Sequence, residues 1–330
     1  MPDIKDFTRQ PVERIHVREM KSANDYLSAY CRLSFQARKL GEALGVLERM
    51  ARDQDCFRVL TVAGALIPAG MGAVISDLIE AGVVNCIVST GANVTHEVVE
   101  IAGGRHYIGS EHVDDMELQR LEINRIFDTF LPETEYLAAQ VWCEARFNEL
   151  PERRLTPSAL MKYLGQAARE KNSVLATAAR HNVPVFVPAF SDCELALNVA
   201  SYNRGKNPER AIIMDEMGDL DVFAGYIEQR ERRGSIILGG GVPRNWAQQV
   251  FPYLTSIHRD DGRRQEFLGY DYGVRITTDR PEFGGLSGCT FSESISWGKY
   301  TSQSATATVV CDITIALPLL AGALLERLGR

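Results

Sequence analysis

Lys299 ends the run 296–299 (Ser-Trp-Gly-Lys), which lies between a glycine-rich loop at 283–288 and a predicted strand at 307–311. A lysine beside an aromatic ring and a glycine can lose its water and be held as a neutral amine, which is a nucleophile toward imines and carbonyls. A lysine taken singly is more often a solvated surface charge, and that is the alternative interpretation. The run predicts a reactive amine near the C-terminal end of the chain.

Three turns that follow predicted strands contain small residues and could hold a phosphorylated cofactor. The triple glycine at 239–241 lets a backbone approach a phosphate or a ring closely, although a tight turn is the alternative. The turn at 64–72 suits a pyrophosphate at a helix N-terminus. Ile75 occupies the last glycine position of G-x-G-x-x-G, so the standard Rossmann fingerprint is absent. The turn at 90–93 either lines the same cofactor or is a plain αβ turn.

Three polar residues are further candidates for chemistry. His96 is followed by Glu97, but Glu100 stands where H-E-x-x-H needs its second histidine, so no zinc site is predicted. His96 could transfer protons near neutral pH or be a hydrogen-bonded loop histidine. Asp192 could receive a ribose hydroxyl or an ammonium group, or cap a helix. Asp312 is expected to cap the C-terminal helix.

The secondary-structure elements that must position these residues are predicted to alternate between strands and helices. Apolar positions at 22–52 have helical spacing, and short apolar runs ending in special loops then alternate with helical stretches. The predicted strands are 57–62, 83–89, 184–188, 235–238, 272–277 and 307–311. We expect a Rossmann-like open parallel sheet with helices on both faces, in which the loops at the carboxyl ends of the strands, including the loop leading to Lys299, converge.

Size and charge bound the classes of protein that are possible. The chain has 330 residues and a net charge of −7, which argues against a nucleic-acid surface and is compatible with a small cationic substrate. The apolar stretch at 313–325 is too short for a bilayer and contains Pro318. Seven cysteines without metal-binding spacing indicate a reducing compartment, so the cytoplasm and the absence of a structural metal are the expectations.

Four groups of residues together resemble a known family. The most specific is 292–299 (Ser-Glu-Ser-Ile-Ser-Trp-Gly-Lys), followed thirteen residues on by Asp312 and then by Leu-Pro-Leu-Leu at 317–320. Supporting elements are 236–242, 184–189 with Asp192, and Leu-Thr-Pro-Ser at 155–158. From about residue 60 to residue 325 the chain resembles the deoxyhypusine synthase family, in particular its shorter prokaryotic deoxyhypusine synthase-like branch.

The resemblance implies an activity, a cofactor and a set of site residues. The family uses NAD to oxidise spermidine, passes the aminobutyl group through an imine on an enzyme lysine, and assembles as homotetramers of tight dimers. It implies that Lys299 is the nucleophile, and we expect Glu293, Asp192 or His96 to assist substrate binding or proton transfer. NAD contacts are implied at Gly64, Ala65, Leu66, Ile67, Pro68, Thr90, Gly91, Ala92, Asp192, Gly240, Thr278, Asp279 and Asp312. Substrate contacts are implied at Trp297, Gly298, Glu293, Asn245 and Thr95.

The chain departs from the family pattern at the acidic anchors for the substrate. Thr95 and His96 replace a Glu-Glu pair, Leu197 replaces an Asp, Asn245 replaces a His, and Leu286 stands where an acid is expected. Each unpaired buried ammonium group costs several kcal/mol, so spermidine is not expected in the usual pose.

Three functions remain open from the sequence. The first is an NAD-dependent aminoalkyl transferase acting on a polyamine or related amine, with a small amine, as in homospermidine synthases, or a protein lysine as acceptor. The second is true deoxyhypusine synthesis on a translation-factor lysine, with Glu194 or Glu282 supplying the missing charge. The third is a non-catalytic NAD-binding scaffold, which the intact run before Lys299 disfavours. We predict an N-terminal helical segment at 1–55 and one compact NAD-binding α/β catalytic domain at 56–330.

Overall fold

The computed structural model describes residues 3–168, 172–204, 208–262 and 269–330. The strands are β1 (Cys56–Val62), β2 (Cys86–Ser89), β3 (Tyr107–Ile108), β4 (Ile123–Ile126), β5 (Thr129–Pro132), β6 (Arg154–Leu155), β7 (Val185–Phe186), β8 (Ile213–Met214), β9 (Arg232–Leu238), β10 (Tyr270–Thr277) and β11 (Tyr300–Val310). The helices are α1 (Ile4–Phe7), α2 (Ala23–Tyr30), α3 (Phe35–Arg52), α4 (Gly72–Glu80), α5 (Gly91–Ile101), α6 (Asp115–Arg120), α7 (Glu133–Asn148), α8 (Pro157–Ala167), α9 (Val174–Arg180), α10 (Glu194–Asn203), α11 (Gly218–Glu228), α12 (Gly241–Asp260), α13 (Phe291–Ile295) and α14 (Ile313–Leu328).

Six strands form one parallel sheet in the order β11-β10-β9-β1-β2-β7. Helices cover both faces of it, as alternate residues of β1 demonstrate. Cys56, Leu60 and Val62 pack into a hydrophobic cluster that contains residues of α2, α3, α4, α5, α9 and α14. Phe57 and Val59 pack into a second cluster with residues of α11 and α12. Because successive strand residues point to opposite faces, the two clusters are the two sides of the sheet, and the predicted fold class is confirmed.

The predicted N-terminal helical stretch forms two helices. Ser22 caps α2 in a capping box with Asp25, and the chain turns at residues 31–34 before α3 begins. Leu27 and Leu44 belong to the same cluster as Leu320 of α14, so these helices pack against the body of the fold. Residues 1 and 2 of the predicted segment 1–55 lie outside the described residues.

Two strand boundaries differ from the sequence prediction. β2 begins at Cys86, because Val83 and Val84 complete the turn that ends α4. β11 begins at Tyr300 and not near residue 307, and its register against β10 shifts between Tyr270 and Tyr272. Residues 300–304 are mostly polar, and their hydroxyls bond to the backbone of the irregular pairing, so apolar periodicity could not reveal this part of the strand.

Smaller elements lie outside the main sheet. β3, β5 and β4 form an antiparallel sheet, and β6 pairs with β8 in parallel. Among the helices of the described ranges, none combines the length and the apolar character needed to cross a bilayer.

Candidate functional site

A short helix and a glycine place Lys299. The Thr290 hydroxyl accepts the Glu293 N–H at 3.0 Å and caps α13. Gly298 has φ +68° and its N–H bonds to the Ile295 carbonyl, which ends the turn in the left-handed region that favours glycine. The Lys299 N–H then bonds to the Ser294 carbonyl and its own carbonyl accepts the Tyr270 N–H. Gly298 is therefore explained by local backbone geometry.

The position of Lys299 in the sheet differs from the sequence expectation. The loop after β10 does reach the carboxyl edge of the sheet, where Ser287 packs against Gly240. Lys299 itself stands immediately before β11, next to the amino end of β10. The long Lys299 side chain extends from there to the first turn of α12, where its Nζ donates to the Oδ1 of Asn245 at 3.1 Å.

The lysine amine is sheltered and its charge is disfavoured. Lys299 is 8% exposed, and its Nζ lies 5.9 Å from the centre of the Trp297 ring. Burial is the main cause that lowers the pKa of Lys299 below its ordinary value, and the charge of Arg244 acts in the same direction. Cys289 and Glu293 act against this lowering. The predicted desolvated amine is thus present in the structure.

A cavity of about 320 Å³ opens at this amine. Its walls comprise one carboxylate, two neutral amides, a thiol, an indole ring and a glycine-rich segment. The lining residues are Asn245, Gln249, Pro281, Gly284, Gly285, Leu286, Cys289, Glu293, Trp297 and Lys299. We call this cavity the lysine pocket. It contains Lys299, Glu293, Trp297 and Asn245 of the predicted site, and Gly298 is the residue before its lysine.

A second cavity, of about 260 Å³, lies at the carboxyl edge of the sheet. It is lined by Ala63, Gly64, Leu66, Gly239, Gly240, Thr277, Thr278, Asp279, Ser287, Cys311, Asp312, Ile313 and Thr314. We call it the edge cavity. Six predicted cofactor contacts meet there although they follow four different strands: Gly64, Leu66, Gly240, Thr278, Asp279 and Asp312. The segment 284–289 contributes to the walls of both cavities, so the two are neighbours.

The triple glycine does two different things. Gly239 and Gly241 have φ of +81° and +61°, which glycine adopts without strain. Gly240 is extended, and a Cβ there would stand 2.4 Å from the Cα of Ser287. The close approach seen here is to the protein's own loop, and an approach to a phosphate or a ring stays a prediction. The Asp312 carboxylate accepts the Thr314 N–H at 2.8 Å, which confirms it as the cap of α14.

Asn93 connects the remaining cofactor turns to the edge cavity, and its role was missed from the sequence. Its Nδ2 donates to the Gly64 carbonyl at 2.9 Å and to the Thr90 hydroxyl at 3.0 Å, while its Oδ1 accepts the Ile67 N–H. The side chain thus holds the turn at 64–68, which includes Ala65 and Pro68, beside the start of α5. A buried asparagine directly after a turn was the available signal.

The start of α5 lies against the loop that carries Asp192. A Cβ on Gly91 would meet the Cβ of Cys193 at 2.5 Å, so this glycine permits two helix N-termini to pack closely. Asp192 is exposed, and the N-cap position of α10 is Cys193. The alternative that Asp192 caps this helix is therefore wrong. Ala92 stands in the first turn of α5, next to this contact.

Thr95 and His96 are not brought to the lysine pocket within the described chain. The Thr95 hydroxyl accepts the Leu195 N–H at 3.1 Å, and His96 Nδ1 lies 2.9 Å from Nε2 of His106, whose other nitrogen contacts Glu100. Burial, and then His106, lowers the pKa of His96 to about 4. Catalysis by His96 remains a prediction. In the part of the chain that the structure describes, no cluster of His, Cys, Asp or Glu side chains could hold a metal ion.

The architecture defines a parallel α/β protein with a sheltered amine beside a polar cleft. A sequence profile described as Deoxyhypusine synthase matches residues 25–324. The probable deoxyhypusine synthase 2 of Methanosarcina acetivorans is 35% identical over 326 residues, covering 97% of this chain and 91% of that protein. The deoxyhypusine synthase-like protein of Chlorobaculum parvum is 31% identical, covering 96% and 89%. The chain belongs to the deoxyhypusine synthase family, a family of transferases.

A solved structure shares the fold. The crystal structure of a candidate deoxyhypusine synthase from Entamoeba histolytica superposes with a TM-score of 0.63 at 17% identity, covering 94% of this chain and 96% of that one. This likeness supports the fold, while the profile match and the relatives in the preceding paragraph confirm the family and the enzyme class predicted from the sequence.

Proposed function

We propose that this protein is an NAD-dependent aminoalkyl transferase in which Lys299 carries the transferred group as an imine. The observation that most supports this proposal is that the Lys299 amine is buried and bonds to a neutral group. Lys299 is enclosed, and its Nζ bonds to the neutral amide of Asn245 and not to a carboxylate. A lysine whose charged form is disfavoured in this way keeps a larger fraction of the neutral amine, which is the nucleophilic form.

The residues of the edge cavity suit part of a dinucleotide, and they support NAD as the proposed cofactor. Asp279 and Asp312 offer carboxylates to ribose hydroxyls, and α12 begins at Gly241 without a side-chain cap, which leaves backbone N–H groups for a phosphate. NAD bound there supplies a hydride acceptor for the amine and returns the hydride at the end. The shared wall at 284–289 supports a reaction between ligands held in the two cavities.

Lys299 performs the transfer itself. Its nitrogen attacks the carbon of the oxidised substrate imine and passes a proton to the departing nitrogen. The bond from that carbon to the departing nitrogen breaks, and a free amine leaves. The acceptor amine then attacks the Lys299 imine and releases the lysine. Trp297, 65% exposed at the mouth of the pocket, presents an aromatic face to a passing ammonium group.

The charges of the lysine pocket favour an amine with fewer ammonium groups than spermidine. Glu293 is the one carboxylate on its wall within the described ranges, whereas Asn245 and Gln249 are neutral and Leu286 is apolar. Each further buried ammonium group lacks an anion there and is costly. The proposed donor is therefore a small polyamine-like amine.

The test combines NAD reduction with trapping. Purified protein is incubated with NAD and a panel of mono-, di- and triamines, NADH is followed by absorbance, and borohydride is added before mass spectrometry. We expect an adduct on the peptide of Lys299, and none in the matched variant Lys299→Arg, which keeps the charge but forms no imine. NAD binding by calorimetry without NADH or adduct across the panel would refute the transferase and indicate a scaffold.

True deoxyhypusine synthesis is the second candidate, because archaeal relatives carry the name probable deoxyhypusine synthase. Glu282 adjoins the lysine pocket through Pro281, whereas Glu194 begins α10 and does not line the pocket. Label transfer from spermidine to a precursor protein that depends on Glu282 supports this candidate, and failure of transfer removes it.

We also propose a homo-oligomer, a dimer of dimers, in the cytoplasm. Phe283 and Trp297 are 82% and 65% exposed around the lysine pocket, which supports a subunit contact there. The described cysteines are free thiols, as a reducing compartment requires. Light scattering that gives the mass of a monomer contradicts the oligomer.

A further inference from the structure

Two arginines are enclosed behind the lysine pocket. Arg244 on α12 is 1% exposed and Arg275 on β10 is 3% exposed. Their hydrogen bonds go to carbonyls and a hydroxyl, neither forms an ion pair within the described ranges, and the Nε of each has no partner there. Burial, and then Arg244, lowers the pKa of Arg275 to about 10, which leaves it protonated at neutral pH. Two arginine side chains are thus buried among neutral hydrogen-bond acceptors within the described ranges, which is costly.

Their contacts converge on the segment that forms the pocket. Arg244 donates to the Leu286 carbonyl at 3.0 Å and to the Ser294 hydroxyl at 3.3 Å. Ser294 is fully buried, and its carbonyl accepts the backbone N–H of Lys299. Arg275 donates to the carbonyls of Ser287 and Cys289. Arg244 also precedes Asn245, the residue that holds the lysine amine.

We propose that Arg244 is a positioning residue for Lys299: it fixes the turn that carries the amine and holds a buried like charge behind it. Arg275 holds the carbonyls of Ser287 and Cys289 in the same wall. Burying the Arg244 charge costs free energy of folding. The proposed benefit is that a like charge near the nucleophile keeps more of the Lys299 amine neutral. The proposal rests on Lys299 being the reacting amine of the proposed function.

Other charged and titratable groups face the same amine. Glu293 on α13 and Cys289 on the wall act against Arg244 and raise the pKa of Lys299. Arg275 on β10 is a further positive charge, and the buried phenol of Tyr300, which bonds to Ser235 and Gln248, interacts with the charges of both arginines. The effect of Arg244 on the pKa of Lys299 is therefore the difference between proteins that keep all these other groups.

The experiment titrates Lys299 without any substrate. A limiting amount of acetic anhydride is added between pH 6 and pH 11 with a free amine standard, and acetylation of the Lys299 peptide is quantified by mass spectrometry. The proteins are the wild type, Arg244→Met, Arg244→Lys and the control Arg259→Met, which removes an exposed charge from the same helix. Arg244→Gln is a second neutral variant in case Arg244→Met does not fold.

We expect the midpoint of wild-type Lys299 to lie below the ordinary lysine value of about 10.4. Removal of the Arg244 charge should raise this midpoint and so reduce the fraction of neutral amine at a given pH, while R244K and R259M stay near the wild type. A wild-type midpoint at or above the ordinary value, a folded neutral variant with an unchanged midpoint, or an equal rise in R259M would overturn the proposal. Because no amine donor is used, failure of the proposed transfer leaves this result readable.

Discussion

Replacement of Gly240 by alanine tests whether the contact between the triple glycine and the pocket wall matters for binding and turnover. Gly240 has φ 174°, outside the left-handed region, so the expected effect comes from the contact that an added Cβ would make. The added Cβ would stand 2.4 Å from the Cα of Ser287, whereas ordinary contacts begin at 3.4 Å. The backbone at 287 must therefore retreat by 3.4 − 2.4 = 1.0 Å.

A retreat of this size displaces the wall shared by the edge cavity and the lysine pocket. Overpacking of this kind costs about 1–3 kcal/mol of folding stability. Misplacement of a reacting group by about 1 Å can cost on the order of 10²-fold in rate. We expect Gly240→Ala to bind NAD more weakly and to lose turnover of this order, because the contact is with backbone that no rotamer change can relieve.

The matched control is Gly285→Ala in the same wall. Gly285 has φ −68°, and nothing stands within 4 Å of its added Cβ, so the substitution leaves the wall in place. Affinity is measured by calorimetric titration with NAD, and turnover by NADH absorbance with the amine that the panel identifies. If Gly240→Ala binds NAD as tightly and turns over as fast as Gly285→Ala, the wall tolerates the displacement and the reasoning fails.

Three further predictions concern stability. Burial raises the pKa of Glu97 from 4.5 to about 7, so the folded state favours the protonated form, and stability present below pH 4.5 is lost as the pH rises to about 7. Glu97→Gln should therefore gain roughly 3 kcal/mol at pH 8 and little at pH 4.5, as measured by urea unfolding; no gain at pH 8 contradicts this. The pKa of His96 is lowered from 6.5 to about 4, so stability present above pH 6.5 is lost as the pH falls toward 4. His96→Gln should reduce this loss of stability between pH 6.5 and pH 4. If the variant loses as much stability as the wild type, other groups cause the loss. Asp312→Ala should cost about 1 kcal/mol through loss of the α14 cap, and Asp312→Asn much less; equal losses would mean that the charge and not the cap matters.

The arrangement of the main sheet could be predicted because its strands are buried on both faces and read as continuous apolar runs. Apolar periodicity did not predict residues 300–304 as part of β11. The side chains there are mostly polar, and a hydroxyl bonds to the backbone where the register with β10 shifts. Within the site, Lys299 and its glycine were predictable from local motif chemistry. Arg244 and Arg275 were not, because their types normally indicate solvent exposure, and only burial distinguishes them.

The sequence by itself determined what is local in this protein: the succession of the six main-sheet strands along the chain, the glycines of the turn at 239–241, and a lysine placed after an indole ring. These features depend on residues a few positions apart, whose geometry short-range sterics control. Only the tertiary structure decided that the amine of Lys299 meets Asn245, 54 positions earlier in the chain, and that His96 pairs with His106 away from it. Such contacts arise when α12 and the wall after β10 pack on the sheet, and that packing is a property of the whole core.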